Sequence, residues 1–244
     1  MGATTKIASL KVLFIVLDCI VTATIVYTLI TDGLPSRKDL LMPWMTATLI
    51  DFYIIVVPIA IWVACKESSW ISRCVWIILL ICPGSITTCT YILLKLFKES
   101  PQDSTKEPIY SFLQNRSVRN GNGRGFSSVV VGRIVFAMLA CLMLATLIYT
   151  CLTDGSPFRK ELLTPWMTEL LVQFYVNVAA IAVWVTYKES TWTSALIWII
   201  FFICFGSVTT STYMVIQLLK LSPEDPFDRV FTEAEQKQVG SPPR

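Results

Sequence analysis

The residues of this sequence that could carry chemistry are a few polar side chains inside long apolar runs. Asp51 lies in one such run, and Gln173 takes the equivalent place in a second copy of the same pattern. A charge at the centre of a membrane helix costs about 2.5–3.5 kcal/mol on insertion scales, so such acids usually face a bundle interior. One interpretation makes Asp51 a protonatable or cation-binding group that faces Gln173. The alternative makes it a hydrogen-bonding carboxyl that only joins helices.

A second set of polar residues repeats along one side of a later apolar run. In each copy a glycine is followed by a threonine, a tyrosine and a longer polar residue at helical spacing, which places the four on one side of a helix. They are Gly84, Thr88, Tyr91 and Lys95, with the equivalents Gly206, Thr210, Tyr213 and Gln217. These hydroxyl groups are candidates to line a path for binding or permeation. The alternative is a packing seam, since small residues let membrane helices approach closely.

A basic turn also occurs twice. Asp-Gly followed by proline predicts a turn, and each turn leads to an Arg-Lys pair. The pairs are Arg37-Lys38 and Arg159-Lys160. They are candidates for contact with lipid phosphates, and the alternative is simple anchoring at the membrane interface.

Other kinds of site have little support in the sequence. It contains no histidine, which removes Ser-His-Asp and Cys-His catalysis and imidazole-bound metals or haem. Its eight cysteines form no C-x-x-C pair, and a net charge of +3 does not indicate a nucleic-acid partner. We therefore expect no enzyme, no metal or other cofactor, and no bound nucleic acid.

The candidate residues are positioned by a duplicated unit. The chain matches itself without a gap, so that Pro43-Trp44-Met45-Thr46 recurs as Pro165-Trp166-Met167-Thr168 and Lys66-Glu67-Ser68 recurs as Lys188-Glu189-Ser190. Internal repetition of this kind indicates that the fold is built from two copies of one structural unit. Asp18 and Asp51 have no acidic equivalents, since Ala140 and Gln173 stand in their places.

Each unit contains three apolar runs long enough to cross a bilayer, which takes roughly 20 residues. With 54% hydrophobic and 15% charged residues, the composition is that of a membrane protein. The runs cover about residues 7–30, 44–65, 70–97, 129–152, 166–187 and 192–219. We predict an all-α membrane protein of six transmembrane helices, with units at 1–97 and 129–221, a flexible linker at 98–128 and a disordered tail at 222–244.

Three helices per unit make the second unit enter the membrane from the opposite side, so we expect inverted repeats. Basic residues divide equally between the two faces and do not choose an orientation. The sequon Asn115-Arg116-Ser117 favours a lumenal linker.

The doubled patterns T-D-G-x-P-x-R-K-[DE]-L-L-x-P-W-M, W-V-x-x-K-E-S-x-W and G-S-x-T-T-x-T-Y resemble a plant membrane-protein family labelled domain of unknown function 1475. The resemblance covers nearly the whole chain outside the linker and tail. It implies a multi-span protein without an assigned activity, so it transfers no functional residues. The first unit departs from its mate at Asp18, Pro58, Arg73 and Pro83, which allows the halves to differ in role.

We predict passage of a small solute or ion between the two repeats. The alternative is a structural or assembly protein that binds lipid headgroups or a membrane-protein partner. A polar cavity touching both units would favour transport, and a solid core with an exposed groove would favour the alternative. The expected location is an endomembrane or the plasma membrane, with the lipid bilayer as the constant partner.

Overall fold

The computed structural model describes residues 3–34, 42–98 and 128–232, and every long segment in them is helical. In the first unit the helices are α1 (Ala3–Asp32), α2 (Pro43–Lys66), α3 (Trp70–Ile81) and α4 (Ser85–Lys98). The second unit contains α5 (Ser128–Asp154), a short 3-10 helix (Lys160–Leu162), α6 (Pro165–Lys188) and α7 (Trp192–Leu219), followed by α8 (Arg229–Thr232). The prediction of an all-α protein is confirmed for the part of the chain that is described.

Five described helices are long and apolar enough to cross a membrane: α1, α2, α5, α6 and α7. This is compatible with an integral membrane protein. The run predicted at 70–97 is not one continuous helix, because α3 ends at Ile81 and α4 begins at Ser85. The corresponding α7 runs from Trp192 to Leu219 and contains an interruption at the equivalent place.

The ends of the second helix of each unit follow from local sequence. Pro43 and Pro165 occupy the first turn of α2 and α6, where a missing backbone N–H costs nothing. In α6 the Thr164 hydroxyl also accepts a hydrogen bond from the Met167 N–H. Both helices stop at a Lys-Glu step, after which Glu67 and Glu189 adopt extended backbone.

The two units interlock. The second helices, α2 and α6, contact each other, and the first helix of each unit packs on the second helix of the other. Thus α1 contacts α6 and α5 contacts α2, while α1 also packs on α4 and α5 on α7. The main core is therefore built from both repeats and includes Ile55, Phe52, Phe174 and Val185.

The outer helices carry the apolar surface that lipid would cover. On α1 and α5 many large side chains are exposed, such as Ile30 and Leu152. Trp70 and Trp192 are also exposed at the starts of α3 and α7, where an indole suits the headgroup region. An apolar exterior of this extent is typical of a surface that contacts acyl chains.

The predicted linker at 98–128 lies outside the described residues except at its two ends, and so do residues 233–244 of the predicted tail. Residues 222–232 fold back on the second unit. The Arg133 guanidinium donates to the carbonyl oxygens of Leu218 and Leu221, and Val230 and Phe231 are buried against the end of α7. Because this segment is mostly polar, the sequence did not indicate that Val230 and Phe231 would be buried.

Candidate functional site at the interface of the repeats

Each repeat contains one broken helix, and the break lies at the same position in both. Gly84 separates α3 from α4 with φ of +60°, and Gly206 interrupts α7 with φ of +53° and ψ of −126°. Glycine suits such a conformation because a Cβ would be strained there. We call the parts after each break the inner half-helices: residues 85–98 (α4) and residues 207–219 of α7.

Threonine side chains satisfy part of the backbone that the breaks leave free. The Thr87 hydroxyl donates to the Leu79 carbonyl oxygen at 2.7 Å, and the Thr209 hydroxyl donates to the Phe201 carbonyl oxygen at 3.0 Å. A freed carbonyl is costly in an apolar environment unless it finds a donor. Both breaks are thus stabilised from within their own helix, and by the same device.

The starts of the inner half-helices are capped across the interface. The Ser207 N–H donates to Asp51 Oδ1 at 2.8 Å, and the Ser85 N–H donates to Gln173 Oε1 at 3.4 Å. Asp51 belongs to α2 and Gln173 to α6, so each repeat caps the broken helix of the other. We call these two contacts the crossed caps. An acceptor at a helix N-terminus satisfies a free N–H, and a carboxylate also suits its positive dipole.

Asp51 therefore points into the bundle, as predicted, but it does not pair with Gln173. The two side chains occupy equivalent positions in separate caps. Gln173 is held in turn by Glu169, whose Oε1 accepts a hydrogen bond from Gln173 Nε2. Glu169 is only 4% exposed, although its position near the start of α6 would have allowed it to reach the membrane interface.

A cavity of about 70 Å³ lies between the repeats, and both predicted threonines line it. Thr88 donates to Asn177 Oδ1 of α6 at 2.8 Å, and Thr210 donates to the Gly206 carbonyl oxygen at 3.3 Å. Apart from these hydroxyls the wall is mostly aliphatic and aromatic, with Trp62 and Trp184 on equivalent sides. The cavity touches both repeats, but its lining is not the polar one expected for an ion.

The family model described as Protein of unknown function (DUF1475) matches this chain twice in tandem, over residues 4–120 and 117–238. The chain belongs to the DUF1475 family. No curated protein and no solved structure gives a significant match. The two matches confirm the tandem repeat predicted from the sequence.

The two tyrosines on the inner half-helices of this DUF1475 protein lie away from the cavity wall. Tyr91 donates to Glu67 Oε1 at 3.0 Å, and its ring lies edge-on against Trp62 and Trp76. Tyr213 repeats this arrangement with Glu189 at 2.8 Å and with the rings of Trp184 and Trp198. Since Trp76 and Trp198 precede the breaks and the tyrosines follow them, these rings hold the two parts of each broken helix together.

The glutamates of the two K-E-S motifs were not selected from the sequence as site residues. Glu67 accepts from Ser72 at 2.7 Å and from Lys95 Nζ at 2.6 Å, in addition to Tyr91. Glu189 accepts from Ser194 at 2.7 Å and from Gln217 at 3.4 Å. Their recurrence beside a tryptophan in both repeats was the available signal.

The hydrogen-bond donors around Glu67 determine the direction in which its pKa shifts. Burial raises the pKa of Glu67, but the hydrogen bonds from Lys95, Ser72 and Tyr91, with the charge of Lys95, outweigh it and leave the pKa below its usual value. A lowered carboxyl pKa means that the ionised form contributes stability above the unfolded-state pKa. That contribution is lost as the pH falls through the folded-state pKa.

Exchanging the partners of the two glutamates tests this cluster. Lys95→Gln should lower the free energy of unfolding by about 1–2 kcal/mol, because a charge-assisted bond to a mostly buried carboxylate is lost. Gln217→Lys should raise it by about 0.5–1 kcal/mol by giving Glu189 the partner that Glu67 has. Thermal unfolding in detergent measures both changes. The Lys95→Gln effect should be full at neutral pH and shrink in acid; an effect that grows in acid would contradict it.

The headgroup candidates divide into two groups. Arg37 and Lys38 lie outside the described residues. Arg159 forms an ion pair with Asp154 at 2.6 Å, whereas Lys160 is exposed at the start of the 3-10 helix. The neighbouring Phe158 is 93% exposed, so this turn presents one aromatic ring and one amine. That combination suits an interfacial anchor.

Proposed function

We propose that this DUF1475 protein is a membrane protein of two repeats with the same orientation, each with two crossing helices and one re-entrant pair of half-helices, that passes a small uncharged solute between them. The observation that carries this proposal is the pair of crossed caps beside a cavity lined by both repeats. Broken helices whose inner ends meet at a repeat interface recur in transporters built from internal repeats. Here each broken helix folds back at its glycine: Trp76 lies against Tyr91 and Trp198 against Tyr213 at 4.9 Å, although a straight helix would separate positions 15 residues apart by about 22 Å.

The lining of the cavity supports an apolar solute and does not support an ion. An ion needs several oxygen ligands or a ring of charge to replace its water. The described wall contains the residues Thr88, Thr210 and Tyr187, which carry hydroxyl groups, and the indoles of Trp62 and Trp184, among otherwise apolar side chains, and it contains no acidic or basic residue. It fits a small, mainly apolar molecule with one hydrogen-bonding group, such as a short alcohol or an undissociated weak acid.

The rigid parts of the protein favour movement of one repeat against the other. Each broken helix is tied internally by a threonine bond and by Trp-Tyr contacts. The contacts between repeats include the crossed caps and the Thr88–Asn177 bond. Rocking of one repeat would exchange such contacts while leaving each broken helix intact. The passage is non-enzymatic.

Filling the cavity tests the proposed path. Ala180 lines the cavity and Ala145 is exposed on α5, so leucine at each position adds the same three carbon atoms in different surroundings. In proteoliposomes the purified protein should take up at least one member of a panel of labelled short alcohols and weak acids. Ala180→Leu should slow this uptake roughly tenfold by occupying space that the solute needs, and Ala145→Leu should match the unmodified protein.

Two results would overturn the proposal. One is a folded Ala180→Leu variant that transports as fast as Ala145→Leu. The other is a panel in which every solute enters no faster than into empty liposomes. Parallel measurement of potassium and chloride fluxes distinguishes the ion interpretation, and absence of any flux favours the structural or assembly alternative.

A further inference from the structure

The crossed caps differ in one chemical respect. Asp51 is a carboxyl group that can gain or lose a proton, whereas Gln173 is an amide that stays neutral. The cap on Asp51 is 2.8 Å long and the cap on Gln173 is 3.4 Å long. A charged acceptor makes a shorter and stronger hydrogen bond than a neutral one. The Asp51 oxygen thus lies at full hydrogen-bonding distance from the Ser207 N–H, whereas the Gln173 oxygen lies at the long limit from the Ser85 N–H.

Little besides this cap holds the charge of Asp51. No lysine or arginine in residues 3–34, 42–98 and 128–232 pairs with it. The group that faces it from α6 is the Tyr175 hydroxyl, with Cys204 of α7 beside that tyrosine, and neither is a cation. Glu169, the other buried acid here, bonds the opposite cap. The carboxylate thus depends on the Ser207 N–H and on the positive end of the inner half-helix.

The glycine at the break makes this contact tight. A Cβ on Gly206 would lie 2.5 Å from Asp51 Oδ2 and 3.0 Å from Asp51 Oδ1. The carboxyl is therefore packed directly on the helix break, with no room for an intervening side chain. A change in its charge acts on the start of the inner half-helix without an intermediary.

We infer that Asp51 is a proton-operated lock between the two repeats. The ionised carboxylate accepts from Ser207 and holds the inner half-helix of α7 against α2. When one carboxylate oxygen takes up a proton from water, the cap becomes a neutral one, as on Gln173, and the contact loosens. Gln173 keeps the other cap constant, so only one side of the interface responds to pH.

The use of this lock rests on the proposed function, because a proton can be coupled to passage only where passage occurs. In that case protonation of Asp51 would release one cap at the step when the repeats move. The state of the lock itself does not depend on any solute. It can therefore be measured separately.

Hydrogen exchange in the full-length protein in nanodiscs tests the lock. Backbone protection of residues 207–211 is compared with that of residues 85–89 in the same sample, so the intrinsic effect of pH on exchange cancels. From neutral to acid pH, the protection of 207–211 should fall roughly tenfold relative to 85–89, since a charge-assisted bond becomes a neutral one.

Two variants complete the experiment. Asp51→Asn should fix the ratio at its acid value at every pH, and Gln173→Glu should make 85–89 respond to pH in the same way. A ratio in the unmodified protein that is constant with pH would overturn the inference, as would an Asp51→Asn variant that keeps the response. If Asp51→Asn does not fold, the pH response of the protection ratio in the unmodified protein and in Gln173→Glu still tests the inference. A responsive ratio without any solute uptake would overturn the proposed function alone.

Discussion

Gly206→Ala is expected to disrupt the interface between the repeats, whereas Gly155→Ala is expected to be tolerated. Both glycines have positive φ, +53° at Gly206 and +77° at Gly155. They differ in their surroundings, because no atom lies within 4 Å of a Cβ on Gly155. A Cβ on Gly206 would approach the Phe174 ring at 2.7 Å and the Asp51 carboxylate at 2.5 Å.

The expected cost at Gly206 has two parts. An alanine in the left-handed region costs about 1–2 kcal/mol, and Gly155→Ala should show this part alone. At Gly206 the carboxylate must also move away, which breaks its bond to Ser207 and costs roughly a further 1.5–3 kcal/mol. Gly206→Ala should therefore lose about 2.5–5 kcal/mol in total, a large fraction of the stability of a typical domain.

Thermal unfolding and the monodisperse fraction on size-exclusion chromatography measure these losses in detergent. Gly84→Ala should fall between the two variants, because its Cβ would meet Gln173 and Phe52 but the cap there is the longer one. Equal losses at Gly206 and Gly155 would show that backbone conformation alone sets the cost. The crossed caps would then contribute nothing measurable.

The helical segments and the repeat were predictable because both can be recognised in the sequence without knowledge of tertiary contacts. An apolar run of sufficient length specifies a membrane helix, and a gapless match such as Pro43-Trp44 with Pro165-Trp166 needs no knowledge of contacts. The breaks were not predicted. A glycine inside an apolar run fits a packing seam as well as an interruption, so Gly84 and Gly206 were assigned to a shared face and not to a break.

The partners of the site residues required the fold. That Asp51 caps Ser207 depends on which helix of the second repeat lies opposite α2, and no local pattern states this. Helical spacing placed Thr88 and Tyr91 on one side, yet only the threonine lines the cavity. The tyrosine instead contacts Glu67, which is brought near by the turn between α2 and α3. Glu169 was not chosen as a site residue because an acid near a helix start is expected to reach the membrane surface.

The largest qualitative effect is expected from topology, because the re-entrant arrangement predicts an all-or-none pattern of glycosylation. If all six segments cross, the Asp32 and Glu189 turns lie on one side of the membrane and the Glu67 and Asp154 turns lie on the other. In the structure, however, Lys11 near the start of α1 lies 4.7 Å from the Phe97 ring at the end of α4, so α3 and α4 enter and leave by the same face. Glu67 and Glu189 precede the broken helices and accept from Lys95 and Gln217 near their ends, so both broken helices return to the face from which they start.

Single glycosylation tags inserted at each of the four turns decide between these arrangements, with the native sequon removed by Asn115→Gln. For re-entrant half-helices in both repeats, the Asp32 and Asp154 tags should be modified and the Glu67 and Glu189 tags left unmodified, or the reverse. A re-entrant α3–α4 would place the Asp32 and Asp154 turns on the same side, since only two crossings would precede the second repeat. Modification of the Asp32 and Glu189 tags, with none at Glu67 and Asp154, would refute the re-entrant arrangement and show six crossings, while the crossed caps would remain as contacts within the bundle.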